Sequence, residues 1–122
     1  MDMALTRDFK ETVVARVNSD PAYAKALLDE ASFLSLNGDP ETARMILRDL
    51  VNATVGFEGL SAATHIPAKS LHRMLSETGN PSMNNIAAIF YAVSKLLHVS
   101  IETTSVELNS STVGDASEHA LA

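Results

Sequence analysis

Four prolines punctuate the 122-residue chain, and each stands where a helix can begin or has to stop. Proline lacks an amide hydrogen and holds φ near −65°, so it breaks a helix from within yet suits the first turn, where that hydrogen has no partner to lose. Pro21 and Pro40 each follow an aspartate, Asp20 and Asp39, and an acidic cap ahead of proline is a helix-start signal made twice. The helix from Pro21 to about Leu36 is rich in alanine and leucine (Ala22, Ala24, Ala26, Leu27, Leu28, Ala31, Leu34), which gives high propensity and a core face. Asn37-Gly38 ends it. From Pro40 to about Thr54, Ala43, Ile46, Leu47, Leu50 and Val51 make a broad inward face, with Arg44, Arg48 and Asp49 outside. Upstream, Thr6 can cap a helix to about Asn18 whose apolar stripe is Phe9, Val13 and Val17.

Gly56 is placed to terminate the third of these helices and lead into the stretch Gly56–Leu75, GFEGLSAATHIPAKSLHRML, which reads as two short helices and a tight turn. The first would run about Phe57–Thr64, with Leu60 and Ala63 inward. The break falls at His65-Ile66-Pro67, and Pro67 opens a second helix to about Leu75. Leu71, Met74 and Leu75 recur at spacings of three and four, so they face a core and leave Ala68, Lys69, His72 and Arg73 outermost. Such an outer face is what a DNA-reading helix-turn-helix offers to a major groove, where Arg and Lys donate to guanine edges. A positive φ at the turn would favour glycine; His65 stands there and tolerates that region better than branched residues do.

Beyond Leu75, the breaker-rich loop Ser76-Glu77-Thr78-Gly79-Asn80-Pro81 excludes continued helix. Ser82 then caps a helix to about Leu97 that buries Ile86, Ile89, Phe90, Val93 and Leu97. Apolar and polar residues alternate over Val99–Glu107, which leaves room for a short strand that could pair across a two-fold axis. Asn109–Ala122 is small and polar and is expected to be disordered. The expected fold is therefore all-α, five to six helices containing a helix-turn-helix. Residues 1–38 form an N-terminal helical extension, 39–102 the helix-turn-helix domain, and 103–122 a tail.

The net charge of −6 is awkward for a partner of DNA, but it is unevenly spread. Residues 1–39 hold four Lys/Arg against seven Asp/Glu, 40–80 hold four against four, and 81–122 one against four. Phosphate attraction follows the local field, so a neutral segment with Lys69 and Arg73 outermost can work. Few cations per copy imply affinity gained by pairing two copies on a repeated site. The absence of cysteine excludes disulfides, thiolate metal sites and cysteine nucleophiles. No apolar run approaches the ~20 residues that cross a bilayer, and the N-terminus lacks a signal-peptide core, so the expected location is cytoplasmic. His65, His72, His98 and His119 make no metal-ligand spacing, Ser70 and His72 two apart on a helix diverge, and Gly56 and Gly59 make no phosphate loop. No catalysis, metal or cofactor is expected.

The run LRDLVNATVGFEGLSAATHIPAKSLHRMLSETGNPSMNNIAAIF (Leu47–Phe90) resembles the addiction-module antidote family, the HigA-like antitoxins with an Xre/Cro-type, lambda-repressor-like helix-turn-helix. Its marks are SLHRMLS at 70–76, GNPS at 79–82 and GDPETA at 38–43, while LTRDFKETV at 5–13 and ALLDEA at 26–31 extend the likeness to about residues 5–102. The resemblance implies a transcriptional regulator that binds double-stranded DNA as a homodimer on a palindromic operator. In true modules such a protein also neutralises a small basic RNA-cleaving toxin; the alternative function is an antidote acting mainly by that protein contact. Where the family pattern opens the recognition helix with a polar pair, this chain has Pro67 and Ala68; a glutamine of the preceding helix is matched by Gly59, and the turn glycine by His65. Lys69, Ser70, His72 and Arg73 remain as contacts. Thr78, Asn80, Asn84 and Asn85 surround the following loop, where amides and hydroxyls can hold phosphate. Loop-shaping is the first role expected of Asn80.

Overall fold

The computed structural model describes residues 12–109, and these are all-helical with no strand among them. Helix α1 is described over residues 12–19, followed by α2 (Pro21–Leu36), α3 (Pro40–Ala53), α4 (Gly56–Thr64), α5 (Ala68–Met74) and α6 (Met83–Leu96). The expected Thr6 cap and Phe9 lie outside the described residues, as does the tail beyond Asn109.

Among the described residues, the expected caps Asp20, Asp39 and Ser82 are each made by the expected side chain. Asp20 Oδ1 accepts from the Ala22 amide at 3.1 Å, Asp39 Oδ1 from the Thr42 amide at 3.2 Å, and Ser82 Oγ from the Asn85 amide at 3.1 Å. These bonds satisfy amides that have no partner inside the helix, worth about 1 kcal/mol each. At the far end of α2, Asn37 caps and Gly38 takes φ +93°, which lets the Asp39 amide turn back onto the Leu34 carbonyl at 2.9 Å. Thr54 closes α3 by donating its hydroxyl to the Leu50 carbonyl at 2.7 Å.

One apolar cluster runs through all the helices: Val13 and Val17 from α1, Leu28 and Ala31 from α2, Leu47, Leu50 and Val51 from α3, Phe57 and Leu60 from α4, Leu71 from α5, Leu75 just after it, and Ile89 and Val93 from α6. Helix α2 lies along α3 in the most extensive pairing; α4 touches α3, α5 and α6. Burying each leucine contributes about 1.5–3 kcal/mol.

Several expectations are corrected in detail. Ala63 is exposed, because Phe57 and Leu60 already fill the inner face of the short α4. Arg44, Arg48 and Asp49 are half-buried, since the loop after α5 and helix α1 close over the flanks of α3; Asn52 and Asp49 lie beside Val13 and Val14. Ile86, Phe90 and Leu97 are half-buried, with Ile89 and Val93 inside. Residues 99–109 form neither helix nor strand: Val99 and Ile101 pack on the core, and the segment then runs exposed because no neighbouring strand among the described residues offers a ladder. No helix of the described residues is long and apolar enough to cross a membrane.

Candidate nucleic-acid interface

Local chemistry builds the junction of α4 and α5. Histidine 65 caps α4 in the left-handed region (φ 63°, ψ 23°), with its amide bonded to the Ser61 carbonyl at 2.8 Å. That conformation costs a side-chain-bearing residue about 1–2 kcal/mol relative to right-handed backbone, so the turn needs other ties. Two hydroxyls supply them. Ser61 Oγ donates to the Ile66 carbonyl at 2.6 Å, and Thr64 Oγ1 donates to the Leu60 carbonyl at 2.8 Å while accepting from the Ile66 amide at 3.2 Å. The polar groups of a tight turn are thus satisfied by the helix that precedes it. Sequence reading missed Ser61 and Thr64, although a hydroxyl in a last turn with a carbonyl four residues back is a known signal.

Pro67, expected as the first helical residue, is instead the cap: its φ −55° fits a helix but its ψ 140° is extended, so α5 starts at Ala68. The reason is the tie on Ile66, which holds the chain extended until Leu71 donates to the Pro67 carbonyl at 3.0 Å. Leu71 and Leu75 are fully buried and Met74 partly so, as spacing predicts. Lys69, His72 and Arg73 are exposed. Ala68, expected beside them, is half-buried against the core, and Ser70 is half-buried too. Neither Lys69 nor Arg73 makes a side-chain hydrogen bond or ion pair with any described residue; the pair Lys25–Asp29, at 3.1 Å, is on α2.

His72 is exposed but not loose. Its ring stacks on Phe57, centroids 3.8 Å apart and planes 19° from parallel, so it clamps α5 onto the first turn of α4 and presents its edge to solvent. Gly59 stands in α4 where a Cβ would come within 2.9 Å of Val55 Cβ, so a longer residue there requires Val55 to give way.

The loop after α5 folds tightly onto that helix. Ser76 Oγ donates to the Arg73 carbonyl at 2.7 Å and the Gly79 amide to the Ser76 carbonyl at 3.0 Å. A Cβ at Gly79 would land on the Met74 carbonyl oxygen and 2.6 Å from that of Arg73, so only glycine fits without movement. Arg44 of α3 reaches across, with Nε 3.5 Å from the Ser76 carbonyl and Nη2 3.4 Å from that of Glu77, and adds a third cation near the end of α5. Nothing in the local sequence announces a contact thirty-two residues long. Of the remaining expected residues, Thr78, Asn80 and Asn84 are exposed and Asn85 is half-buried; Asn80 turns toward the groove it shares with Pro81 and Arg44. No family model, curated protein or solved structure matches the chain.

Proposed function

We propose that the chain is a sequence-specific DNA-binding regulator that seats α5 in a major groove and occludes a promoter as a dimer on a palindromic operator. The carrying observation is the pair Lys69 and Arg73, both exposed and both without a partner among the described residues, on a helix whose opposite side is anchored by Leu71 and Leu75. A cation held out on a rigid, core-anchored helix has lost little freedom to a competing carboxylate, which is what a base or phosphate contact requires. In this reading Arg73 and Lys69 read base edges or phosphate, while Thr78 and Asn84 lie where backbone phosphates would pass. His72 acts through its stack on Phe57, holding α5 in place. Two such helices would address successive grooves about 34 Å apart.

The experiment is fluorescence anisotropy on duplexes tiled across the DNA upstream of the protein's own reading frame. Specific binding at moderate salt is the expected result, and Arg73→Ala is expected to cost about 1–3 kcal/mol if it reads a base. Lys69→Ala, as a phosphate contact, should weaken all sequences alike and flatten the salt dependence by about one unit. Failure of every duplex, at low salt as well, overturns the reading.

A further inference from the structure

On the side of the molecule built from the end of α2, the start of α3, α6 and the chain after α6 lies a groove of about 450 Å³. Its walls include Leu36, Met83, Ile86 and Phe90, and among its lining residues the one charge is Arg44. Leu36 and Met83 are 69% and 79% exposed on that wall. Along its rim runs the segment 100–108. After the Val99 amide bonds to the Ser94 carbonyl at 3.0 Å, no backbone donor or acceptor of 100–108 has a partner among the described residues. The segment holds Ile101, Thr103, Thr104 and Val106, which suit a strand, and carries no proline or lysine to blunt an exposed edge.

We propose that this segment pairs antiparallel with the same segment of a second copy of the chain, making a homodimer across a two-fold axis. Opposed residues of an antiparallel pair point to the same face, so two-fold pairing joins residues whose numbers sum to an even value. Glu102 and Glu107 therefore never oppose one another. Overlap of the whole of 100–108 centres the pair on Thr104; Glu102 then faces Val106, and Ile101 faces Glu107 of the second copy. Odd-numbered residues are the ones turned to the protein body, since Val99 and Ile101 pack on the core and Ile101 and Thr103 line the groove. Glu107 of the second copy is thus delivered beside Ile101, toward a groove whose charge is Arg44, a guanidinium that has carbonyl oxygens for partners and no carboxylate among the described residues. Charge complementarity and unpaired backbone select the same partner: a copy of itself.

The experiment is sedimentation equilibrium of the full chain without DNA, with circular dichroism to confirm that each variant folds. Wild type is expected to be a concentration-dependent dimer. Thr104→Pro and Ser105→Pro, at exposed neighbouring positions whose amides point to opposite edges of a strand, between them remove a central donor of the ladder, and the one that does is expected to raise the dissociation constant roughly tenfold or more. Glu107→Arg and Arg44→Glu should each weaken the dimer, and the double variant should recover strength lost by the singles. A monomeric wild type, as would follow if the segment serves only a different protein, overturns the proposal. So does unchanged dimer strength in both Thr104→Pro and Ser105→Pro, or a double variant of Glu107→Arg with Arg44→Glu no better than either single. The inference supplies the interface of the dimer in the proposed function and rests on that reading; because no DNA is present, loss of self-association is read apart from loss of duplex contact, which Lys69 and Arg73 test.

Discussion

The junction of α4 with α5 and the segment after α6 are both short, irregular and exposed, yet they settle their backbone in opposite ways. At the junction Ser61 and Thr64 of the preceding helix hold both the amide and the carbonyl of Ile66, and Gly79 and Ser76 fold the next loop back onto α5. Along 100–108 no such bond joins the described residues, and the polar backbone is left to water or to another chain. A loop that must present a helix is tied from within, whereas an unmade edge offers its chemistry outward.

Breaking that contrast starts with its foundation. Leu71→Ala empties a fully buried site beneath α5 and is expected to cost about 2–5 kcal/mol in urea unfolding. Gly79→Ala drives a Cβ into two carbonyls at the end of α5 and is expected to cost about 1–3 kcal/mol, measured the same way. An unchanged midpoint for it would mean that the loop is free to move off the helix. Removal of the His72 ring from Phe57 by His72→Ala should cost about 0.5–1.5 kcal/mol and weaken the proposed DNA binding without touching a base contact. His65→Gly works the other way: relief of the left-handed backbone, set against the entropy of glycine, should stabilise by up to about 1 kcal/mol, seen as a raised melting temperature. The smallest energy lies in the other region. Amides of 100–108 should exchange with deuterium almost unprotected in dilute solution and gain protection as concentration rises, while those of α3 stay protected throughout.

Helix starts were legible in the sequence because a cap is a conversation among four neighbouring residues. Asp20, Asp39 and Ser82 needed no distant information to be placed. The inward turn of Leu71 and Leu75 followed from spacing for the same reason. Ala63 and Ala68 exchanged expected sides because a small residue at the boundary of an apolar stripe takes its exposure from whichever helix packs there. The alternation over Val99–Glu107 makes no strand within the described residues for a related cause: alternation describes a preference, and a strand exists only where another lies beside it.

The order of the helices, the caps of α2, α3 and α6, the anchored side of α5 and the choice of Lys69 and Arg73 as its outer cations were determined by the sequence alone, since each depends on bonds or spacings within a few residues. Contact of Arg44 with the loop after α5, the stack of His72 on Phe57, the fit of Gly79 against the Met74 carbonyl and the open groove beside 100–108 were decided by tertiary structure. Those features join segments far apart along the chain, and packing, not local preference, selects which distant groups meet.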